Sequence, residues 1–487
     1  MRVLFASSEV SPFAKTGGLA DVAGALPKAL QGLGHDLRVV LPKYRGVDTA
    51  QFELRKILPR LVVPIAGTVE TAAVWEGRNG SVPTYFVEQD DYYDREGLYQ
   101  TGGKDHPDNA ERFAFFSRAV LELARALDFS PAVYHCNDWQ TALVPAYLRT
   151  TYRGDPEVAG AGVLFTVHNL GYHGLFKPAA MAVANLGADL FSPFGVEFYG
   201  KVNFLKAGLV FSDRINTVSR KYSQEIQTEE FGHGLDGVLR ARAQDVRGIL
   251  NGIDYDEWHP SRDQLIAARF SRDDLRGKAA CKADLQRVFG LPARPDTPLL
   301  AVISRLAQQK GIDLIAESLD AILDLDTQFV LLGTGEPALH HAFEAAKARH
   351  PSRVGLKLGF DVTLSHVIEA GADMFLMPSR YEPCGLNQMY SLAYGTIPIV
   401  RATGGLDDTI QSFEPETGVG NGFKFQEASG EALLVSVRQA VALYRRREPW
   451  RRLMANAMAC DFSWNRSATE YEALYREIAP PDGTPRA

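Results

Sequence analysis

The sequence has few cysteines and no long apolar run, and each absence excludes a class of protein. Its four cysteines lie far apart, without the C-x-x-C spacing of a zinc site or the density of a disulfide scaffold, so we expect free thiols in a reducing cytoplasm. No apolar stretch approaches the roughly 20 residues that span a bilayer. The short run at residues 3–6 is too brief for an export signal. We therefore expect a cytoplasmic protein with no membrane partner.

An excess of positive charge is also missing. Lys and Arg number 52 against 59 Asp and Glu, which gives a net charge of −7. This balance offers no general attraction for nucleic acid, and we expect none as a partner. A phosphate-bearing ligand must therefore be bound by a local group of cations.

Several common catalytic motifs are absent as well. The chain has no H-E-x-x-H and no clustered His and Cys, so we expect no metal site. It has no G-x-S-x-G, which disfavours a serine hydrolase. Residues 332–336 contain only a G-x-G after an apolar run, too little for a dinucleotide fingerprint. We expect no metal and no other cofactor.

What is present is an alternation of short apolar runs with longer segments of helical period, which is typical of parallel sheets covered by helices on both faces. The predicted strands lie at residues 3–6, 37–41, 163–167, 246–250, 299–304, 329–332, 355–358, 374–377 and 397–400. The predicted helices include residues 19–33, 113–127, 312–325 and 337–349. With 487 residues, the pattern predicts an α/β protein of two doubly wound, Rossmann-like domains facing a cleft, with ligands beyond the carboxyl ends of the strands.

Two glycine-containing loops resemble each other in the two halves. Residues 16–21 (Thr-Gly-Gly-Leu-Ala-Asp) and 403–408 (Thr-Gly-Gly-Leu-Asp-Asp) each follow a predicted strand and precede a helix. Paired glycines let the backbone approach a ligand, and a helix N-terminus offers free N–H groups to anions. Two tight turns without a ligand would explain either copy alone. Their occurrence in both halves favours a functional role.

A pair of cations follows the strand at 299–304. Arg305 and Lys310 are five positions apart, so both can converge on one phosphate group, Arg as a fork and Lys as a point charge. From charge alone, a solvated loop with two surface cations explains the pattern equally well.

A second polar segment, residues 379–387, follows the strand at 374–377. Glu382 precedes Pro383, and Gly385 is predicted to begin a helix whose N-terminus favours a phosphate. A carboxylate beside an anion site is suited to binding sugar hydroxyls. Cys384 has no evident partner base, so we interpret it as packing near the site and not as a nucleophile.

In the first half, Asp138 and His168 each follow a predicted strand end. Asp138 is also a plausible N-cap of the helix that begins at Trp139, because Asp is favoured at that position. His168 is equally explained as a core histidine hydrogen-bonded to backbone.

Taken together, these motifs resemble one family, the bacterial glycogen synthases and plant starch synthases, which have the two-domain glycosyltransferase architecture called GT-B. Any one block is weak evidence, but their order and spacing cover nearly the whole chain. The matching blocks are residues 15–22, 135–139, 166–174, 250–254, 304–311, 380–386 and 403–406.

The resemblance implies transfer of glucose from ADP-glucose to the nonreducing end of an α-1,4-glucan such as glycogen, with retention of configuration and without a metal. It implies a domain on the acceptor side at 1–250, a nucleotide-sugar domain at 251–460, a crossover helix at 461–480 that packs on the first domain, and a flexible tail at 481–487. The oligomeric state is left open.

The resemblance also assigns roles to individual residues. The diphosphate would be held by Lys15, Gly18, Arg305 and Lys310, and the donor sugar by Glu382. The remaining matches to substrate-binding or activity-related positions are Asp21, Asp138, His168, Asn251, Phe360, Cys384, Gly385 and Leu386.

Four positions depart from the commonest bacterial pattern: Asn137, His173, Phe360 and Asn387. Phe360 stands where a Tyr that faces the base is common, so a ring can still stack there but a hydroxyl contact is lost. Asn137 stands where many bacterial members have His. Two other functions stay open, namely a related glucosyltransferase that uses UDP-glucose or a small acceptor, and a glucan-binding or regulatory protein that has lost catalysis.

Overall fold

The computed structural model describes residues 1–65 and 67–480, so the predicted tail at 481–487 lies outside the described residues. Contacts divide the chain into two compact units. Unit 1 contains Met1–Gly252 together with the segment that begins at Trp464, and unit 2 contains Ile253–Ser463. Each unit is built around its own sheet.

The strands of unit 1, in chain order, are β1 Arg2–Ala6, β2 Asp36–Pro42, β3 Arg55–Ile65, β4 Thr68–Asn79, β5 Val82–Glu88, β6 Gln100–Thr101, β7 Lys104–Asp105, β8 Val133–Asn137, β9 Gly162–Val167, β10 Leu175–Phe176, β11 Glu197–Phe198, β12 Lys201–Asn203, β13 Arg214–Thr217 and β14 Val246–Gly248. Its helices up to Gly252 are α1 Gly18–Gly32, α2 Asp90–Tyr93, α3 Asn109–Ala126, α4 Leu143–Arg149, α5 Ala180–Val183, α6 Phe204–Phe211, α7 Arg220–Glu225 and α8 Asp236–Ala241.

The main sheet of unit 1 has the strand order β14-β13-β9-β8-β1-β2-β5-β4-β3. Neighbouring strands from β14 to β5 are parallel, whereas β4 runs antiparallel to both β5 and β3. The β3–β4 hairpin at this edge was not among the predicted strands. In β3, buried Leu61, Val63 and Ile65 alternate with exposed residues, and Pro59 and Pro64 interrupt the segment, which disfavours a strand in the sequence.

The elements of unit 2 alternate regularly between strand and helix. Its strands are β15 Leu299–Ile303, β16 Gln328–Gly333, β17 Val354–Leu358, β18 Met374–Met377, β19 Ile397–Arg401 and β20 Phe423–Phe425. Its helices are α9 Arg276–Val288, α10 Ile312–Leu323, α11 Pro337–Arg349, α12 Val362–Gly371, α13 Asn387–Ala393, α14 Gly404–Thr409, α15 Gly430–Tyr444 and α16 Arg447–Met458. The strand predictions in this half are confirmed to within one residue at most ends.

The sheet of unit 2 is parallel throughout, in the order β17-β16-β15-β18-β19-β20. Along β15, Leu300 and Val302 contribute to one apolar core, while Leu299 and Ala301 contribute to the core on the opposite face. Both faces are buried, which explains why this strand is apolar at every position and was predictable from sequence.

Helix α17 (Trp464–Ile478) packs against α1 and β9 of unit 1. Its side chains enter the polar interior of that unit: the Tyr475 hydroxyl lies 2.7 Å from Nδ1 of His135, and the Ser467 hydroxyl donates to the Leu250 carbonyl at 2.6 Å. The end of the chain thereby forms part of the same core as its beginning.

Within residues 1–65 and 67–480, no helix is both long enough and apolar enough to cross a membrane.

Candidate active site

In unit 1, the carboxyl ends of β1, β8 and β9 lie side by side, because these three strands are adjacent and parallel. Asp138 directly follows β8 and has φ 55° and ψ −178°. Residues other than glycine rarely adopt this conformation, which costs on the order of 1–3 kcal/mol and persists only where the surroundings impose it. Strain of this kind at the ligand-binding edge of a parallel sheet points to a functional position.

Hydrogen bonds to the end of β9 and to the residue that follows this strand hold Asp138 in place. Its amide donates to the Thr166 carbonyl at 2.9 Å, and its carboxylate accepts from the amide of His168 at 2.7 Å. Asp138 does occupy the N-cap position of the helical turn that begins at Trp139, but its side chain makes no capping hydrogen bond there. Burial raises the pKa of Asp138 to about 7, although the backbone N–H groups of His168 and Asn169 oppose the shift.

His168 lies beside Asp138, with its ring bonded to a side chain and not to backbone. Nε2 is 2.9 Å from Oδ1 of Asn137, the last residue of β8. Burial lowers the pKa of His168 to about 3, which keeps the ring neutral near pH 7. The sequence could place both residues at strand ends, and the pairing of β8 with β9 brings them together.

We expect Asp138→Asn to change how stability depends on pH. A free Asp ionises near pH 4, so between this pH and the folded pKa of about 7 the native state holds a proton that the unfolded chain has lost. The contribution of Asp138 to stability must therefore fall as pH rises through this window, by up to about 1.4 kcal/mol per pH unit. In calorimetry, the Tm of the variant minus the Tm of the wild type should increase with pH up to about pH 7 and stay constant above it. A difference independent of pH would contradict the burial argument.

The glycine loop after β1 places Lys15 at the surface of unit 1. Its ammonium forms a 2.6 Å ion pair with the Asp21 carboxylate on the first turn of α1. Burial raises the pKa of Asp21, and Lys15 partly offsets this effect. Gly17 is the N-cap of α1, and Gly18 is the first helical residue. Because neither residue has a side chain, the backbone at the start of α1 is not covered by one.

Glu9 is a residue that the sequence reasoning missed. Its buried carboxylate accepts hydrogen bonds from the Thr16 hydroxyl at 2.6 Å, the Gly17 amide at 3.1 Å and the Tyr99 hydroxyl at 2.8 Å. Glu9 therefore holds the backbone of the glycine loop in one conformation through its hydrogen bonds with Thr16 and Gly17. The sequence did offer one signal for Glu9, namely its position three residues after an apolar strand. An acidic residue that is buried at such a place needs partners, because acidic side chains are rarely buried without them.

Asn251 follows β14 and is buried, yet its Oδ1 has no hydrogen-bond partner among the described residues. A buried polar atom without a partner costs about 1–3 kcal/mol. A ligand that donates a hydrogen bond would satisfy this oxygen.

In unit 2, the carboxyl ends of the adjacent strands β15 and β18 bring Lys310 to Glu382. The Lys310 ammonium lies 2.6 and 2.8 Å from the two carboxylate oxygens, and the Ser379 hydroxyl donates to the same carboxylate at 3.0 Å. Glu382 is only 5% exposed. The carboxylate is thus held in one orientation beside a cation.

Gly311 allows the loops after β15 and β18 to approach each other this closely. It has φ +65°, and a Cβ built on it would lie 2.1 Å from the Pro378 carbonyl oxygen. Any other residue would push the loop that carries Lys310 away from the loop that carries Glu382.

The second glycine loop, residues 403–408, packs against the backbone of the segment that contains Glu382. The Gly405 amide donates to the Glu382 carbonyl at 3.1 Å, and a Cβ on Gly404 would lie 1.9 Å from that carbonyl oxygen. A Cβ on Gly405 would meet the Cys384 carbonyl oxygen at 2.0 Å. These glycines therefore let backbone approach the site loop, whereas the sequence analysis expected them to approach a ligand.

The remaining predicted residues of unit 2 lie at the same edge of its sheet. Arg305 follows β15 on an exposed loop, with a guanidinium nitrogen 3.4 Å from the Gln309 side-chain oxygen. Phe360 follows β17 and its ring is 80% exposed, which leaves a face free for stacking. Cys384 is buried and forms no disulfide.

The prediction that Gly385 begins a helix is wrong, because α13 starts at Asn387 after Leu386 as the N-cap and runs for seven residues. Gly385 has φ +72°, a turn conformation that glycine adopts without strain. Across the described part of the chain, no group of three or more His, Cys, Asp and Glu is placed to hold a metal ion.

Comparison with known proteins gives consistent results over the whole chain. Residues 2–241 match the family model described as starch synthase catalytic domain, and residues 287–454 match that of glycosyl transferases group 1. The chain is 50% identical to glycogen synthase 1 of Geobacter metallireducens, over 98% of this chain and 95% of that protein. It is 51% identical to a glycogen synthase of Anaeromyxobacter sp. (strain Fw109-5), over 99% and 100% of the two chains.

A solved structure is similar along the same length. The catalytic domain of starch synthase IV from Arabidopsis thaliana, bound to ADP and acarbose, superposes with a TM-score of 0.91 at 36% identity, covering 98% of each chain.

Proposed function

The chain belongs to the glycogen and starch synthase family, and from this premise we propose that it transfers glucose from ADP-glucose to the nonreducing end of an α-1,4-glucan with retention of configuration. The resemblance inferred from the motifs is confirmed at the level of the family, as is the GT-B fold. The protein is a glucosyltransferase. The identity of the donor and the roles of single residues belong to the proposal.

The observation that carries the proposal is the pairing of Lys310 with Glu382. A cation suited to phosphate oxygens lies within 2.8 Å of a buried carboxylate suited to sugar hydroxyls. A nucleoside diphosphate sugar has both groups within a few bonds of each other. The likeness to a starch synthase crystallised with ADP supports an adenine nucleotide as the donor.

Each residue of unit 2 has a distinct chemical task in this proposal. Arg305 and Lys310 stabilise the negative charge that develops on the departing diphosphate. Glu382 holds donor-sugar hydroxyls and thereby orients the anomeric carbon. Phe360 stacks on the base, and the backbone of Gly385 and Leu386 lies close to the phosphates.

The resemblance also assigns roles to residues of unit 1. We propose Lys15, Gly18 and Asp21 for binding the donor, His168 and Asn251 for contacts to the donor glucose, and Asp138 for activity. The buried unpartnered oxygen of Asn251 and the strained backbone of Asp138 support these assignments.

Incubation of the purified protein with glycogen and labelled ADP-glucose or UDP-glucose tests the proposal. We expect label from ADP-glucose in a polymer from which an exo-acting amylase releases it first, because that enzyme digests from nonreducing ends. An α-specific glucosidase should also release it, as retention requires. Preferred use of UDP-glucose or of a small acceptor would favour the related transferase. Glycogen binding without turnover of either donor would favour a protein that has lost catalysis.

We expect chelators to leave activity essentially intact. The proposed phosphate ligands are Arg305 and Lys310, which neutralise a leaving diphosphate directly. Initial rates with ADP-glucose and glycogen should be equal with and without EDTA after dialysis against the chelator. Complete loss of activity in EDTA, restored by a divalent cation, would overturn this expectation.

A cytoplasmic location stays part of the proposal, as does the absence of nucleic-acid and membrane partners.

A further inference from the structure

A single buried side chain connects the ends of three neighbouring strands in unit 1. Asn137, the last residue of β8, is fully buried. Its Nδ2 lies 3.0 Å from the carbonyl oxygen of Ala6 at the end of β1, and its Oδ1 lies 2.9 Å from Nε2 of His168 just after β9. Both ends of the amide are therefore occupied.

These contacts determine where the proton of His168 resides. The Ala6 carbonyl can only accept a hydrogen bond, so the amide NH2 of Asn137 must face it. The amide oxygen then faces His168, and because this oxygen can only accept, Nε2 must carry the hydrogen. A neutral imidazole has one N–H and one lone pair, so Nδ1 of His168 is an acceptor.

The rest of the surroundings keeps His168 in this state. Burial lowers its pKa to about 3, so the ring has no second proton near neutral pH. Its backbone is held as well, since the His168 amide donates to the Asp138 carboxylate at 2.7 Å. Ring and backbone are thus fixed by two consecutive residues, Asn137 and Asp138.

We propose that Asn137 is a positioning residue that holds His168 in the Nε2–H tautomer, so that Nδ1 accepts a hydrogen bond from a hydroxyl of the donor sugar. The sugar contact rests on the proposed function, whereas the tautomer does not. The sequence analysis noted Asn137 only as a departure from the commonest bacterial residue. The structure gives it a definite task, acting through His168 and not on substrate.

The tautomer can be measured on the ligand-free protein. Long-range proton–nitrogen NMR of the full chain labelled with 15N-histidine distinguishes protonated from unprotonated ring nitrogens, and the signals of His168 are those lost in His168→Ala. We expect a protonated Nε2, an unprotonated Nδ1 and no titration near neutral pH. A proton on Nδ1, or a positively charged ring at pH 7, would overturn the proposal whatever the substrate is.

Variants of Asn137 separate positioning from a merely structural role. Asn137→Leu removes both hydrogen bonds at similar size, and we expect a mixture of tautomers and a loss of turnover of about tenfold, as for other residues that orient a functional histidine. Asn137→Asp keeps an acceptor for Nε2–H but loses the donor to the Ala6 carbonyl. It should retain the tautomer, raise the pKa of His168 and recover part of the turnover, which keeps the proposal testable if the Leu variant does not fold.

Asn216→Leu is the matched control. Asn216 is another fully buried Asn in the same sheet, on β13, and its amide donates to the Tyr471 hydroxyl at 2.8 Å and reaches the Thr166 hydroxyl at 3.4 Å. Because it bonds to neither Asn137 nor the His168 ring, its loss should leave the His168 tautomer unchanged and turnover within about twofold.

A double mutant closes the test. If Asn137 acts through His168, Asn137→Leu should add almost nothing to the loss of turnover caused by His168→Ala. Multiplicative losses in the double mutant would assign Asn137 an independent role and overturn the proposal. Absence of turnover in the wild type with an intact Nε2–H tautomer would instead count against the proposed function alone.

Discussion

Lys310→Ala and Arg305→Ala should each reduce turnover by about 10²–10³-fold while the fold stays intact. Losses of this size are typical when a prearranged group that stabilises charge in the transition state is removed. Breaking the bond between the anomeric carbon and ADP places new negative charge on the diphosphate, where we propose that both cations bind. Rates with ADP-glucose and glycogen, alongside circular dichroism, provide the measurement. Arg305→Lys should recover only part of the loss, because a point charge cannot reproduce a two-pronged fork. The double mutant should be less than multiplicative, since both cations serve one phosphate group.

Two ion pairs provide controls for this prediction. Lys43 in unit 1 forms a partly buried pair with Glu88 at 3.1 Å, and Arg349 in unit 2 pairs with Asp320 at 3.1 Å on the surface. Alanine at either position removes a comparable cation without touching the proposed site, and turnover should be unchanged. If Lys310→Ala or Arg305→Ala stayed within a few-fold of wild type, that residue would be a surface cation and the phosphate assignment would be wrong.

Glu382→Gln should lower turnover by at least about 10²-fold, because a small misplacement of the reacting sugar has an effect of this size, while ADP binds as tightly as before or more tightly. In the free protein the Glu382 carboxylate neutralises Lys310 at 2.6 Å. Removing the carboxylate charge leaves the ammonium available to phosphate oxygens. Glutamine keeps the size and an acceptor for the Ser379 hydroxyl, so the loop should retain its conformation.

Isothermal calorimetry with ADP, compared with steady-state rates, tests the Glu382 prediction. The comparison of ADP affinity with turnover is the readout. A change in turnover without a change in ADP affinity indicates a contact that matters in the transition state and not in ground-state binding. Equal losses in turnover and in ADP affinity would indicate that Glu382 only supports the structure of the loop. Glu382→Ala should give the same contrast with a larger loss of stability, since it also leaves Ser379 without its acceptor.

Most of the buried strands could be predicted from the sequence because they are short runs dominated by apolar residues. Residues 299–303 form the apolar run of β15, and both faces of this strand are covered. The β3–β4 hairpin could not be found in this way, because one face of β3 is exposed and the strand contains Pro59 and Pro64, which in a sequence disfavour a strand away from a sheet edge. The predicted start of a helix at Gly385 failed for another reason: the glycine serves a left-handed turn and not a helix N-terminus.

The residue types at the carboxyl ends of the strands could be recognised from the sequence alone, and they were enough to identify the family. Arg305, Lys310, Glu382, Asp138 and His168 could all be singled out, since each is a polar residue just beyond an apolar run. These are local properties of the chain. Their order and spacing needed no knowledge of contacts.

The contacts between these residues, by contrast, depend on the tertiary structure. Lys310 and Glu382 are 72 positions apart and meet because β15 lies next to β18, and Asn137 reaches His168 because β8 lies next to β9. The neutral state of His168 likewise depends on burial, which removes water from groups that are far apart in sequence. Strand order, close approach and desolvation arise only when distant segments pack together, and no local pattern of residues encodes them.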